Sequence, residues 1–226
     1  MTFREAVVLL DIEGTTTPID YVFGVLFPFA AERLPAFLVE REPDVQGDLQ
    51  ALRQEWDAIE TGAWPGALPY LQALMAADRK STALKSLQGK IWEEGYRAGT
   101  LQSRVFADVG PALARWHGQG KTIAIFSSGS TQAQELLFRY SQAGDLTPYL
   151  RAYFDTRTGP KNQAASYRAI AEVLQVGPEE ILFVSDVVAE LEAAQEAGCV
   201  VRWAVRPGNR PVPPHDFVAL QNFDDL

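Results

Sequence analysis

The stretch Ala6-Val7-Val8-Leu9-Leu10-Asp11-Ile12-Glu13-Gly14-Thr15 decides the fold. Its apolar run is continuous rather than alternating, which suits a strand buried on both faces of a parallel sheet. The run ends on a carboxylate, and Gly14 then permits a tight turn that a side chain would obstruct. In open parallel sheets ligands bind beyond the C-terminal ends of the strands. Asp11 is thus delivered to a ligand-binding edge, with Glu13 in reach of whatever Asp11 touches.

Outward from this strand, apolar runs at Thr122 to Phe126, Tyr153 to Phe154, Ile181 to Val184 and Val200 to Val205 read as further strands. Helical periodicity occupies Thr131 to Ser141, Asn162 to Leu174 and Val188 to Ala197, with Gly177 and Gly198 as terminators. Strand and helix alternate, which predicts an α/β protein with a doubly wound parallel sheet. From Thr17 to Arg104 no convincing strand occurs, and helix-period segments appear instead at Leu49 to Ile59, Leu68 to Ala76 and Ala83 to Ala98. The expected organisation is a core of residues 1–16 and 105–226, with a helical domain, 17–104, inserted after the first strand. Trp56, Trp64 and Trp92 are expected to form that domain's small core. The proline-rich tail after Pro207 is expected to be mostly irregular.

The chain has 226 residues, enough for a full core and an insert, and 47% are hydrophobic. With 20 basic and 29 acidic residues the formal charge is −9, which disfavours nucleic acid as a partner. No run of about 20 uncharged apolar residues suggests a bilayer span, and the N-terminus does not read as a signal peptide. The expectation is a cytoplasmic monomer that engages neither membrane nor nucleic acid. Cys199 is the only cysteine and His117 and His215 the only histidines, so an intrachain disulfide is excluded and a zinc site disfavoured. A bound metal would be a hard ion held by oxygen.

The strand ends carry Asp11, then Ser127 and Ser128 before Gly129, then Asp155 leading to Lys161, then Ser185 and Asp186. Each has an ordinary explanation as a turn, cap or surface residue, but their coincidence at four strand ends fits phosphate-ester hydrolysis. That reaction calls for accelerations of up to about 10²¹, drawn from positioning and charge neutralisation. A carboxylate nucleophile divides it into two steps. An anion attacking an anion needs a cation between them, and Mg²⁺ suits one or two carboxylates, a carbonyl and waters. Asp11 and Asp186 could supply the carboxylates, Ser127 and the following helix N-terminus could hold phosphate oxygens, and Lys161 adds positive charge. Glu13 is left for proton transfer. A receiver-type signalling domain also phosphorylates an aspartate in such a sheet, but it needs about half this length and leaves the insert unexplained.

The four motifs Asp11-Ile12-Glu13-Gly14-Thr15, Ser127-Ser128-Gly129, Lys161 and Ser185-Asp186 resemble those of the haloacid dehalogenase superfamily. The closer resemblance is to the enolase-phosphatases of methionine salvage. It is carried by Asp11 to Ile19, Val25 to Pro28, Leu84 to Trp92, Phe106 to Val109, Phe126 to Gln134, Phe154 to Thr156 and Arg206 to Asn209. Glu13 stands where most superfamily phosphatases carry Asp. Gly24 and Pro160 depart from the family's usual Asp and His. The resemblance implies a haloacid dehalogenase-like Rossmannoid core with a helical cap and one Mg²⁺ per chain. The implied substrate is a small phosphorylated metabolite, 2,3-diketo-5-methylthiopentyl-1-phosphate, which is enolised and dephosphorylated to an acireductone through an aspartyl-phosphate. It further implies Asp11 as nucleophile and metal ligand, Glu13 as acid-base residue and carbonyl ligand, and Asp186 as second metal carboxylate. Ser127, Ser128 and Lys161 are implied to bind substrate. On the insert, Lys85, Gln88 and Trp92 recur at i, i+3 and i+7, which places a cation, an amide and a ring on one helix face as candidate substrate contacts.

Overall fold

In a computed structural model of the protein, residues 4–77, 79 and 81–226 are described. Six strands, β1 (Val7–Leu10), β2 (Thr122–Phe126), β3 (Ala152–Phe154), β4 (Ile181–Ser185), β5 (Val200–Ala204) and β6 (Ala219–Leu220), form one sheet. The order is β3-β2-β1-β4-β5-β6, and every pair is parallel. Strand order reverses at β1 and β4, the point in such sheets where a crevice opens beyond the strand ends. In register, Leu10 lies opposite both Ile125 and Val184, so the residues that follow β1, β2 and β4 emerge side by side.

Between β1 and β2 run a single helical turn, α1 (Ile19–Tyr21), then α2 (Phe27–Glu40), α3 (Glu42–Ile59), α4 (Ala67–Ala76), α5 (Thr82–Arg97) and α6 (Val109–Gly118). Later come α7 (Thr131–Arg139), α8 (Ala164–Leu174) and α9 (Val188–Ala197). The chain divides into two compact units, Met1–Val22 with Gln102–Leu226, and Phe23–Leu101. The first is the α/β core, and the second is the inserted helical cap.

Period-2 alternation sends the β1 side chains to opposite faces of the sheet, and both faces are covered. Val8 and Leu10 join Ile123, Ile125, Trp116, Phe138 and Phe223, whereas Val7 and Leu9 join Phe126, Tyr167, Ile170, Phe183 and Leu191. Such burial explains the unbroken apolar runs. One local expectation needs correction. Helix α8 ends on Gln175, left-handed at φ 60, and Gly177 instead opens the next turn, whereas Gly198 does close α9 at φ 105. The tail after Pro207 is mostly irregular, as expected, and within it Ala219–Leu220 adds the sixth strand through Trp203 N to Val218 O and Val205 N to Leu220 O, both 2.9 Å. Two residues are too few to show periodicity.

In the helical unit Trp56, Trp64 and Tyr70 meet edge to face at 4.8 to 5.6 Å. Trp92 packs apart from them, 5.9 Å from Phe27, and donates its indole N–H to the Leu26 carbonyl at 2.8 Å. The expected tryptophan core is therefore two clusters. The helical run Ile19–Glu40, 22 residues with mean hydropathy 1.6, is long and apolar enough by length and composition to cross a membrane. It carries Asp20, Glu32 and Arg33, so it is not an uncharged run, and Arg33 pairs with Glu94 of α5 at 2.8 Å. Ala30, Leu34 and Phe37 of the run are buried.

The N-terminus of α5 is closed from outside. Glu55 of α3 accepts from the backbone amides of Thr82 (3.0 Å) and Ala83 (3.1 Å) and from the Ser81 hydroxyl (2.5 Å), while Ser81 itself caps Leu84 N at 3.0 Å. A carboxylate there satisfies two orphan amides and complements the helix dipole. Glu55→Ala is expected to destabilise the protein by about 1–2 kcal/mol, the usual cost of a lost cap. Chemical denaturation checks this, and an unchanged midpoint would remove Glu55 from the capping role.

Candidate active site

Asp11 follows the central strand and is held by backbone geometry before any chemistry is asked of it. Its amide donates to Val184 O at 3.0 Å, continuing the ladder with β4. The chain then folds back on itself: the amides of Thr15, Thr16 and Thr17 all donate to Ile12 O at 2.9 to 3.2 Å, and Gly14 N donates to Thr17 O at 2.8 Å. Thr16 Oγ1 donates to the Asp11 carbonyl at 3.1 Å, and Thr15 Oγ1 approaches Asp11 Oδ2 at 3.4 Å. Gly14 turns at φ 71, and a Cβ built there would overlap the Asp186 carboxylate and lie 2.9 Å from Asn209 Oδ1. The glycine is thus required twice, by its left-handed backbone and by the approach of Asp186.

Lys161, from the loop between β3 and α8, brings its ammonium onto Asp11 Oδ1 and to 2.6 Å from Glu190 Oε2. Lysine and aspartate are 9% and 3% exposed, so this pair is screened by protein rather than water. Glu190 is oriented in turn by Ser185 Oγ at 2.9 Å, and that hydroxyl accepts from Val187 N at 3.2 Å. The lysine carbonyl accepts from Tyr167 OH at 2.7 Å, and the ammonium lies 5.7 Å from the centre of the Phe126 ring. Burial alone would lower the ammonium's pKa, but Asp11 and Glu190 reverse that and raise it.

Among the described residues four carboxylates, Asp11, Glu13, Asp186 and Glu190, share this one ammonium. Glu13 and Asp186 are both pushed up to about 7, first by loss of water and then by the charge of Asp11. Glu190 is raised as well, again chiefly by burial. Such a surplus of negative charge in a part-buried cluster fits a cation. No group of three or more acid, cysteine or histidine side chains suited to a metal is found among the described residues. Two carboxylates, a backbone carbonyl and waters nonetheless match the donors that Mg²⁺ prefers.

Asp11, Glu13, Lys161 and Asp186 are therefore gathered together. Ser127, at the end of β2, is buried, and its hydroxyl accepts from Gly129 N at 3.2 Å, whereas Ser128 is exposed. Asp155 lies outside the cluster. It binds Arg157, through the backbone amide at 2.9 Å and the guanidinium at 3.0 Å, which holds its carboxyl below the ordinary range against the effect of burial. On α5, Lys85 is half-buried, and Gln88 and Trp92 are buried in the helical unit. Glu190 was legible only as an acid that could support Asp186, and Asn209 only as the end of the Arg206 to Asn209 motif, without a role. Glu190 had only its spacing of four after Asp186, and Asn209 is 195 residues from the carbonyl it binds.

A parallel sheet with an acid-lysine cluster at its switch point defines the class, a Rossmannoid hydrolase core. A haloacid dehalogenase-like hydrolase model matches residues 6–198. The chain is 57% identical to enolase-phosphatase E1 of Synechococcus elongatus, with 96% of each chain covered, and 46% identical to that of Sorangium cellulosum, with 97% of this chain and 96% of the relative covered. The crystal structure of the UTR4 protein of Saccharomyces cerevisiae superposes with a TM-score of 0.84 at 33% identity, covering 99% of this chain and all of the other. The chain belongs to the haloacid dehalogenase-like hydrolases and, within them, to the enolase-phosphatase E1 family. It is an enzyme of the phosphatase class.

Gly14→Ala should cost roughly 1–3 kcal/mol from backbone strain alone, with the collision at Asp186 added. Thermal unfolding measures it. A variant as stable as the parent would mean that the turn can relax and that the close approach of Asp186 is dispensable.

Proposed function

We propose that the protein converts 2,3-diketo-5-methylthiopentyl-1-phosphate to 1,2-dihydroxy-3-keto-5-methylthiopentene and phosphate, as an enolase-phosphatase of methionine salvage. The observation that carries this reading is the buried Asp11 carboxylate, set at the switch point and held by Lys161. The names of the 57% and 46% identical relatives support the activity class, and the family supports Mg²⁺ as cofactor. We place the enzyme in the cytoplasm, where a single buried cysteine would stay reduced.

On this reading an Asp11 oxygen attacks phosphorus, the bond to the enol oxygen breaks, and Glu13 gives that oxygen a proton. Water then attacks the phosphorus of the aspartyl-phosphate, Glu13 takes its proton, and Asp11 and inorganic phosphate are released. One Mg²⁺, held by Asp11, Asp186 and the Glu13 carbonyl, would neutralise the charge that separates anionic nucleophile from anionic substrate. Lys161 orients Asp11 and adds positive charge for phosphate. Ser127 and Ser128 bind phosphate oxygens. On the helical unit we propose Lys85 and Gln88 as substrate contacts, with Trp92 acting through its ring because its N–H is already donated to Leu26.

Supplying the phosphorylated diketone with Mg²⁺ and following phosphate release together with enol absorbance tests the proposal directly. Asp11→Asn should abolish phosphate release while leaving the circular dichroism spectrum intact, and turnover by this variant would overturn the covalent route. Glu13→Gln is expected to slow dephosphorylation by about 10²–10⁴, the span of general acid-base help. An unchanged rate at saturating substrate would assign the proton to another group. Lys85→Ala should impair enol formation more than hydrolysis of a simple aryl phosphate, and equal losses in both would take Lys85 out of the substrate contacts.

A further inference from the structure

The segment that follows β5, Arg206-Pro207-Gly208-Asn209, returns to the turn behind Asp11. Arg206 Nε donates to the Thr15 carbonyl at 3.0 Å, and Asn209 Nδ2 donates to the Gly14 carbonyl at 3.0 Å and to the Ala204 carbonyl at 3.1 Å. Both amide hydrogens of Asn209 are thereby spent on carbonyl oxygens. This fixes the orientation of the amide, because a flipped group would set oxygen against oxygen. Its Oδ1 is left buried, with no hydrogen-bond partner among the described residues, near Gly14 and the Asp186 carboxylate.

Arg206 is unusual in another way. Its side chain is 3% exposed, with Nη1 on Asp108 Oδ2 at 2.8 Å and on Gln221 O at 3.0 Å. The guanidinium lies 4.8 Å from the Phe106 ring centre and 4.5 Å from that of Phe223. A buried cation is costly to maintain, and an apolar side chain of similar size would often serve stability as well or better. An apolar residue could not donate to Thr15 O. Glycine at φ 71 leaves the Glu13-Gly14-Thr15 path with much intrinsic freedom, and these two donors seize the carbonyls of the two successive peptides that leave Gly14 and Thr15.

We propose that Asn209 and Arg206 are positioning residues: acting across more than 190 residues of sequence, they lock the Gly14-Thr15 backbone and so aim the Glu13 carboxyl and carbonyl at the reaction centre. The inference rests on the reading of Asp11 and Glu13 as the phosphatase machinery and extends it to a segment that makes no contact with the reacting atoms. Arg206 holds the turn and the C-terminal tail at once. Asn209 holds the turn and the end of β5, which makes it the cleaner probe.

The test compares Asn209→Ala with Arg115→Ala in the full chain. Arg115 grips the same C-terminal tail, donating to Phe223 O at 2.6 Å, without touching the turn. Steady-state rates on an aryl phosphate with Mg²⁺ and hydrogen exchange of residues 12–17 are measured well below each variant's unfolding temperature. Asn209→Ala is expected to lower kcat by about 10- to 100-fold, the scale of small misplacements of catalytic groups, to leave KM nearly constant and to speed exchange in the turn. Arg115→Ala is expected to keep kcat and slow exchange even where it lowers the unfolding temperature. Asn209→Asp, which sets a carboxylate against two carbonyls, should not rescue. Wild-type kcat in Asn209→Ala, or equal losses in the Asn209 and Arg115 variants, would overturn the assignment. Activity surviving in Asp11→Asn would instead bring down the underlying reading, and the exchange data stand apart from both.

Discussion

A buried ammonium facing several carboxylates is the constraint on which this structure turns. Lys161 meets Asp11 and Glu190 where solvent is largely excluded, and each of these partners is costly to bury without the others. The cluster therefore constrains three loops at once: the one after β1, the one before α8 and the start of α9. Around it the backbone carries the remaining precision. Ile12 O gathers three amides, Thr16 holds the Asp11 carbonyl, and Ser185 aims Glu190.

Charge imbalance is the second consequence. Loss of water first, and then the charge of Asp11 that one lysine leaves uncompensated, make Glu13 and Asp186 retain protons to higher pH than free acids. A hard cation would relieve the same imbalance, and two carboxylates beside a backbone carbonyl are what such an ion accepts. The glycine at position 14 makes this density of acid possible, because any Cβ there would displace Asp186. Backbone freedom and electrostatics are thus one design problem, which helps to explain why the turn is pinned from outside by Asn209 and Arg206.

Much was legible before any coordinates. The strands at 122–126 and 181–184 and the helix at 188–197 follow from apolar runs and capping signals, since a strand buried on both faces has no alternation to hide it. Asp11 and Asp186 were visible as acids ending such strands, and Lys161 as a lysine a few residues beyond one. Less visible were β6, whose two residues leave no pattern, and the end of α8, where glutamine takes the left-handed position that glycine usually fills. Asp155 was a misleading signal. It ends a strand as the others do, but a neighbour two residues on, Arg157, captures it.

By itself the sequence determined which groups reach the sheet's active edge, because period-2 alternation and strand length set where each carboxylate, hydroxyl and lysine emerges. Only the tertiary structure decided which of them act together. Contacts such as Asn209 on Gly14, Arg206 on Thr15 and Lys161 on Asp11 join residues 150 to 195 positions apart. No local periodicity encodes such pairs. They exist because strand order reverses at β1, which brings the first strand's turn, the third strand's loop and the segment after β5 to one place.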